Sequence, residues 1–200
     1  MSKVPIRLTI YYDFLSLWCF NTLLRLKQIE QKWKVRMEWK SYMLLPEQKE
    51  QAREAFHLAS QSWSAIIDEA LAGELKPWPL DREVPNWSLP ALAASKVAAS
   101  FGERQFSDFQ YSVMKGYFQE HLDISSSVTL VQLAERSGMD RKAFENQMNQ
   151  PQWQDLVREE HQQAEAAGIH NVPMVVVNDE QALAGALKIE DYEDAFLKVR

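Results

Sequence analysis

The sequence predicts an α/β protein in which a block of helices separates two parts that contain β-strands. Two observations support this class. Short runs that alternate apolar and polar residues, or that are rich in valine, occur near both ends of the chain. Between about residue 47 and residue 150, apolar residues instead recur at helical spacing. With 200 residues, 46% of them hydrophobic, the chain is long enough to form one core with an inserted subdomain.

The first part of the chain predicts a strand, a helix and a second strand. Residues 6–12 alternate between apolar and more polar side chains, which is typical of a strand. Ser16 opens a run with leucine and phenylalanine at helical spacing, and this run predicts an amphipathic helix that ends near Trp33. Residues 35–40 alternate again and predict a second strand that ends before Pro46.

The middle of the chain predicts an α-helical insertion. Its periodic segments are Gln48–Ala72, Leu89–Phe101, Ser107–Gln119, Ser127–Ser137 and Arg141–Asn149. The stretch Lys76–Pro90 contains four prolines and predicts an irregular connection. The insertion is rich in aromatic residues, for which we expect core positions, with a pocket lining as the alternative. They are Trp63, Trp78, Trp87, Phe101, Phe106, Phe109, Tyr111, Tyr117 and Phe118.

The last part of the chain predicts a helix, a hairpin and a closing helix. Gly168 is a plausible stop for the first of these helices, and Asn178-Asp179 is typical of a hairpin turn. The predicted elements are a helix over Gln152–Ala167, strands over Val172–Val177 and Ala182–Ala184, and a helix over Ile189–Val199.

The order of these elements is β-α-β, then helices, then α-β-β-α. This is the order of a thioredoxin fold with an α-helical insertion between its βαβ and ββα halves. We expect the βαβ half to pair in parallel, the ββα half to form a hairpin, and both halves to share one sheet. The predicted division is residues 1–46 for the first half, 47–150 for the insertion and 151–200 for the second half.

Charge and cysteine content exclude several classes of function. The formal net charge is −6 with the two signs interspersed, which argues against a nucleic-acid partner and against a polybasic membrane surface. One cysteine excludes an internal disulfide and any cysteine-based metal cluster. The four histidines show no zinc-binding spacing, so no metal site is predicted.

The N-terminus lacks the features of a signal peptide, because a strand pattern begins almost at residue 1. No stretch approaches the ~18 uninterrupted apolar residues that a membrane span requires. The sequence therefore predicts a cytoplasmic protein, a location that suits a free cysteine. It leaves the oligomeric state open, a dimer included.

The turn between the first strand and the first helix reads DFLSLWCFN, from Asp13 to Asn21. Ser16 and Cys19 stand where a Cys-x-x-Cys pair would give a dithiol, so the ordinary dithiol cycle is closed to this chain. Three interpretations of Ser16 remain: a helix N-cap, a donor of a hydrogen bond to the thiolate of a bound thiol such as glutathione, or a remnant of lost catalysis.

Cys19 lies one turn into the helix, between Trp18 and Phe20. A free cysteine in such a position is typically a buried small hydrophobic residue. If it were accessible, the helix N-terminus would lower its pKa and allow monothiol exchange with a small disulfide.

Val172-Pro173 is the second informative position. A proline at the head of a central strand is expected only as its first residue or after a cis bond. Beside Leu17 and Trp18, Val172 and Pro173 are the candidate residues of a groove for a small thiol or an extended peptide, which would pair with the backbone before the proline. His170 is close in sequence, and we expect it to be a solvated loop residue.

Several segments resemble one family. Asp13–Phe20 (DFLSLWCF) is similar to the Asp-Phe-x-Cys-Pro-Trp-Cys-Tyr motif of the DsbA-like family, especially its FrnE-type branch of cytoplasmic members. Residues 167–173 (AGIHNVP) resemble the family's Ala-x-x-x-Gly-Val-x-Gly-Val-Pro segment, in which the proline is cis and faces the active-site turn. Leu183–Ala186, Gln119–Ile124 and Leu130–Gly138 also resemble family segments. The resemblance covers nearly the whole chain and implies the thioredoxin fold with its insertion.

The chain departs from this family at Ser16 and Leu17, which replace cysteine and proline. In the same superfamily, kappa-class glutathione transferases and 2-hydroxychromene-2-carboxylate isomerases have a serine at this position, where it contacts the glutathione sulfur. These relatives also bind the glutamyl end of glutathione through a Gly-Ser/Asn-Asp motif. The corresponding residues in this sequence are Gly185-Ala186-Leu187, whose side chains cannot form a hydrogen bond.

The sequence thus leaves three functions. The first is a DsbA-family thiol oxidoreductase-like protein, limited to monothiol chemistry through Cys19. The second is a glutathione-dependent transferase or isomerase that uses Ser16 to stabilise the thiolate. The third is a non-catalytic binding module. No permanently bound cofactor is expected, and glutathione is the candidate cosubstrate.

Overall fold

The computed structural model describes residues 5–48, 53–67, 72–73, 75–85 and 87–199. Its centre is a sheet of four strands in the order β2-β1-β3-β4. The strands are β1 (Ile6–Tyr12), β2 (Val35–Ser41), β3 (Met174–Val177) and β4 (Gln181–Ala184). β1 and β2 are parallel, whereas β1 with β3 and β3 with β4 are antiparallel. Both halves of the predicted fold therefore share one sheet.

The described helices are α1 (Leu17–Lys32), α2 (Arg53–Ser60), α3 (Trp63–Ile66), α4 (Leu89–Phe101), α5 (Glu103–Phe118), α6 (Ser127–Arg136), α7 (Arg141–Met148), α8 (Gln152–Ala166) and α9 (Ile189–Lys198). Because side chains alternate along β1, its apolar residues all face one side of the sheet. There Ile10 packs in one cluster with Leu26 of α1 and Phe196 of α9. A larger core joins α1 to the helices of the insertion.

The prediction of one helix over Gln48–Ala72 is wrong. The described part of this segment forms α2 and α3, separated by a turn at residues 61–62, while residues 49–52 and 68–71 lie outside the described residues. The hydroxyl groups of Ser60 and Ser62 donate to backbone carbonyls three residues earlier, at 2.7 and 2.8 Å. Such bonds compete with helical hydrogen bonding. Ser60 also accepts a hydrogen bond from the backbone N–H of Trp78, which fixes the turn against the irregular connection.

Three other elements begin at a different residue than predicted. α5 begins at Glu103 rather than Ser107, because Gly102, at φ 133°, ends one helix and caps the next. β3 begins at Met174 rather than Val172, since Pro173 has no N–H for the ladder. β4 begins one residue early. The predicted turn at Asn178-Asp179 is confirmed, with both residues at positive φ. The Val172–Pro173 peptide bond is cis.

A buried ion pair connects β2 to the helices behind it. Glu160 of α8 accepts a hydrogen bond from the backbone N–H of Ser41 at 2.7 Å and lies 2.6 Å from the ammonium group of Lys96 in α4. Lys96 in turn donates to the carbonyl of Trp39 at 3.0 Å. These bonds satisfy two backbone groups at the outer edge of β2, and they fix the end of this strand next to the turn described below.

Candidate functional site

The turn between β1 and α1 places Ser16 at the N-cap of α1. Its backbone is extended, with φ −97° and ψ 113°, and its side-chain oxygen accepts a hydrogen bond from the backbone N–H of Cys19 at 3.2 Å. The first turn of α1 contains no acidic residue. The first turn of α1 itself thus adds no carboxylate to the positive end of the helix dipole. The N-cap interpretation of Ser16 agrees with this geometry.

The side chain of Asp13 stabilises the turn between β1 and α1. Its buried carboxylate accepts hydrogen bonds from the backbone N–H groups of Leu15 and Leu44, at 2.8 and 2.7 Å, and from the hydroxyl of Ser88, at 2.7 Å. Burial raises the pKa of this carboxyl to about 6, while the three hydrogen bonds act in the opposite direction. One side chain thus connects the turn, the segment after β2 and the start of α4.

Cys19 is buried and does not reach the surface. Its residue is 1% exposed, and burial raises the pKa of its thiol to about 12, although a hydrogen bond with Ser16 acts to lower it. The position near the helix N-terminus does not outweigh this desolvation. The interpretation of Cys19 as a buried small residue is confirmed, and the condition for monothiol exchange, an accessible thiol of low pKa, is not met.

We expect Cys19 to react with iodoacetamide at pH 7 about a thousandfold more slowly in the native protein than in the unfolded chain. A pKa raised from 9.0 to about 12 lowers the thiolate fraction tenfold per unit, before steric protection is counted. Mass spectrometry of timed reactions with and without denaturant measures the two rates. Similar rates in both states would contradict the burial of the thiol.

A groove of about 320 Å³ opens beside Ser16. The turn supplies Leu15, Ser16, Leu17 and Trp18, the segment after β2 supplies Leu44, the insertion supplies Phe56, Ala59, Ser62, Trp63, Ile66 and Phe118, and the last part of the chain supplies Asn171 and Val172. Four residues predicted from the sequence thus meet here: Ser16, Leu17, Trp18 and Val172. Cys19 and Pro173 do not line this groove, and both are buried.

Sequence reasoning did not identify Leu44, Phe56 and Asn171 as residues of the groove. Leu44 and Phe56 come from segments with no motif, and only the tertiary fold brings them to the turn. Asn171 stands two residues before the proline, at a glycine position of the family segment, and this departure was the available signal. Of the aromatic residues of the insertion, Trp63 and Phe118 line the groove, and both also belong to the buried core together with Trp78, Phe109 and Tyr117.

The groove is largely apolar, and none of its described lining residues is charged. Its polar side chains are those of Ser16, Ser62 and Asn171. The hydroxyl of Ser62 donates to the carbonyl of Ala59 at 2.8 Å, and the side-chain oxygen of Asn171 accepts from the backbone N–H of Val172 at 2.9 Å. Ser16 is therefore the polar side chain that lies at the helix N-terminus, where an anionic sulfur is most stabilised.

After β4, Gly185, Ala186 and Leu187 have no polar side chain. Arg25 donates to the backbone carbonyls of Ala186 and Leu187, each at 2.9 Å. His170 is exposed, and its Nδ1 lies 3.3 Å from Oε2 of Glu165. It does not line the groove beside Ser16. Within the described ranges there is no cluster of metal-ligating side chains. Among the helices of the same residues, none is both long and apolar enough to cross a membrane.

Residues 7–197 match the DSBA-like thioredoxin domain. The chain belongs to this family. A comparison of the sequence with curated proteins gives no match. The fold class predicted from the sequence, a thioredoxin-like α/β fold with a helical insertion, is confirmed, and so is the resemblance to the DsbA-like family at this level.

Solved structures of similar fold cover almost the whole length of this chain. A probable DsbA oxidoreductase from Streptomyces coelicolor has a TM-score of 0.80 at 18% identity and covers 96% of this chain and 89% of its own. The cytosolic disulfide reductase DsbM from Pseudomonas aeruginosa, solved with GSH, has a TM-score of 0.72 at 15% identity, with coverage of 96% and 98%. A 2-hydroxychromene-2-carboxylate isomerase has a TM-score of 0.66 at 15% identity, with coverage of 96% and 95%. At these identities the likeness concerns the fold.

Proposed function

We propose that this protein binds a low-molecular-weight thiol such as glutathione in the groove beside Ser16 and uses its thiolate as a nucleophile, as a transferase or isomerase does. The proposal is based on where the turn places its two candidate residues. Ser16 lines the groove at the N-terminus of α1, whereas Cys19 is buried with a raised pKa.

Ser16 is suited to stabilise a thiolate. Its oxygen accepts the N–H of Cys19, so its own O–H can turn either to the Cys19 sulfur or to a sulfur in the groove. A hydrogen bond to a charged acceptor is stronger than one between neutral groups, and the helix dipole adds to it. Both effects favour the thiolate of a bound thiol over its protonated form.

The step that follows needs no oxidant or reductant. The thiol proton is released to solvent, the sulfur supplies the electron pair of a new C–S bond to an electrophilic carbon, and a leaving group departs with the pair of the broken bond. In an isomerisation the same sulfur adds to the substrate and is later eliminated with its own electron pair. The aromatic wall of Phe56 and Trp63 suits an apolar electrophile beside the sulfur.

Monothiol oxidoreduction through Cys19 is less well supported, because a buried thiol of high pKa is neither nucleophilic nor reachable. The cytosolic disulfide reductase solved with GSH and the isomerase share the fold of this chain, which makes a thiol ligand and a cytoplasmic location the natural ones to test. A groove that binds no thiol would leave the third function, a non-catalytic module for an extended peptide.

The test is calorimetric titration with glutathione of the wild type, Ser16→Ala and Ser62→Ala. We expect Ser16→Ala to weaken binding about 10- to 100-fold, since a hydrogen bond to a charged group contributes about 1.5–3 kcal/mol. Ser62 is a matched control, because it lines the same groove but donates to Ala59. Its replacement should change the affinity less than about twofold.

A second measurement follows the absorbance of the bound thiolate in the ultraviolet. In the wild type the pKa of the glutathione thiol should fall on binding, and in Ser16→Ala it should fall less, because only the helix dipole then favours the thiolate. Binding of glutathione that is equal in the wild type and Ser16→Ala, or no binding at all, would overturn the proposed function.

A further inference from the structure

β2 is an edge strand of the sheet, and every second residue directs its backbone groups away from β1. The N–H of Ile6 donates to the carbonyl of Lys34 at 3.0 Å, and the N–H of Tyr42 donates to the carbonyl of Tyr12 at 2.9 Å. The even-numbered residues from 34 to 42 therefore direct their backbone groups toward β1. The odd-numbered residues direct theirs to the outer edge of the sheet.

Only the end of this outer edge is covered. The buried ion pair of α4 and α8 binds the carbonyl of Trp39 and the N–H of Ser41. In the described part of the chain, no partner binds the N–H and carbonyl groups of Val35 and Met37 or the N–H of Trp39. These groups form an open strand edge, which is suited to pair with a further strand.

The open edge is accessible from a cavity of about 490 Å³. All residues from 35 to 39 line this cavity, although their side chains alternate between the two faces of the sheet. A cavity that reaches both faces of one strand includes the edge of that strand. The charged residues of this segment are exposed, and its apolar residues are half-buried. A partner strand would therefore cover apolar surface as well as bind the open backbone groups.

The sequence of this segment, VRMEW, complements itself in one antiparallel register. With Met37 opposite Met37 of a second copy, Arg36 lies opposite Glu38 of that copy, and the reverse pair forms as well. Val35 then lies opposite Trp39, so charged residues meet on one face of the sheet and apolar residues on the other. A shift by two residues places Arg36 opposite Arg36 or Glu38 opposite Glu38. A shift by one residue brings the open groups opposite backbone groups that are already bonded to β1.

The pair that follows in this register has like charges. Lys34 lies opposite Lys40 of the second copy. The ammonium group of Lys40 already lies 2.7 Å from a carboxylate oxygen of Glu38 and 3.8 Å from one of Glu160 in its own chain. These carboxylates compensate its charge, so we expect the pairing to extend over residues 35–39 and to end there.

We infer that a second copy of this chain binds to the edge of β2, with the two β2 strands antiparallel about Met37, so that the two sheets form one continuous sheet. In this arrangement the N–H of Met37 donates to the Met37 carbonyl of the second copy, and the N–H of Trp39 donates to its Val35 carbonyl. This edge shares no lining residue with the groove beside Ser16, so the inference is independent of the proposed function.

The experiment reverses the charges of the edge one at a time. Arg36→Glu places glutamates opposite each other, and Glu38→Arg places arginines opposite each other. Each variant alone should therefore dimerise about 10-fold or more weakly than the wild type. In an equimolar mixture, residues 36 and 38 of one variant meet opposite charges on the other, and the association should return to about that of the wild type. Sedimentation velocity at low ionic strength, from micromolar to submillimolar protein, measures the association.

Arg158→Glu is the control for net charge. It changes the charge of the protein as Arg36→Glu does, but it lies in an exposed pair with Asp155 on α8, and its dimerisation should equal that of the wild type. A second measurement uses amide hydrogen exchange of the unchanged protein. Exchange at Met37 and Trp39 should slow as the protein concentration rises, because their N–H groups become hydrogen-bonded in the dimer.

A wild type that stays monomeric overturns the inference and leaves the edge to an extended segment of another protein. A mixture of Arg36→Glu and Glu38→Arg that associates no better than either variant alone also overturns it, because the contact would then lie elsewhere. Exchange at Met37 and Trp39 that does not depend on protein concentration has the same consequence. Circular dichroism verifies that the variants fold, as expected for exposed residues.

Discussion

Replacement of Ser16 by cysteine is expected to create a redox-active dithiol in a protein that has none. We expect the introduced thiol and Cys19 to form a disulfide under mild oxidation. The dithiol form of the variant should reduce small disulfides and its disulfide form should oxidise small thiols, whereas the wild type should do neither. The wild-type chain has a single cysteine, which is buried, so its background in the same assay is very low.

The geometry of the turn supports this result. The backbone N–H of Cys19 already donates to the side-chain oxygen of Ser16 at 3.2 Å, and the spacing of the two residues is that of a Cys-x-x-Cys motif. A thiol at residue 16 would lie at the N-terminus of α1 beside the groove, where the helix dipole favours the thiolate. It could therefore attack an external disulfide, and Cys19 would need only to resolve the mixed disulfide within the protein.

Two measurements and a control variant test this prediction. Mass spectrometry after mild oxidation should show the loss of two hydrogens in Ser16→Cys, and alkylation at pH 7 should be about a thousandfold or more faster than for native Cys19. The double variant Ser16→Cys/Cys19→Ala is the control, which should alkylate rapidly but form no internal disulfide. Failure of Ser16→Cys to form the disulfide would show that the turn holds the two side chains in an unsuitable geometry.

The fold was predictable where local pattern and tertiary structure agree. The alternation in residues 6–12 is the alternation of buried and exposed positions along β1, and Asn178-Asp179 forms the turn that its residue types favour. The break at residues 61–62 was not predictable. It depends on Ser60, which accepts from Trp78, a partner 18 residues away that no periodicity reveals.

The residues of the candidate site also form two groups: those that a sequence motif identifies and those that only the tertiary structure brings to the groove. Ser16 and Trp18 are found from a motif, because their position in a strand-to-helix turn fixes their place in the fold. Leu44 reaches the groove only because Asp13 binds its N–H from the end of the neighbouring strand. Pro173 was predicted to line the groove from its position at the head of a strand, yet in this chain the groove is lined by the two residues before it.

The largest loss of stability is expected from changes to one half of the buried ion pair. Glu160→Leu should lower the free energy of unfolding by about 3–5 kcal/mol, since it leaves the ammonium group of Lys96 buried without its partner. Lys96→Met should lower it less, because Glu160 keeps a second cation, Lys40, at 3.8 Å. The side chains are only 7% and 8% exposed. Burial already lowers the pKa of Lys96, although Glu160 acts to raise it, which indicates that the ammonium group depends on this carboxylate.

The double variant Lys96→Met/Glu160→Leu distinguishes an unpaired charge from a loss of packing. It should lose less stability than the sum of the two single variants, and about as much as either single variant or less, because no charge remains buried. Arg158→Ala is the surface control, since its pair with Asp155 is exposed and should contribute less than about 1 kcal/mol. Urea unfolding followed by circular dichroism measures all four variants, and additive losses in the double variant would contradict the argument.

Because Glu160 also binds the N–H of Ser41, three residues before Leu44, Glu160→Leu should in addition weaken ligand binding in the groove, whereas Arg158→Ala should not.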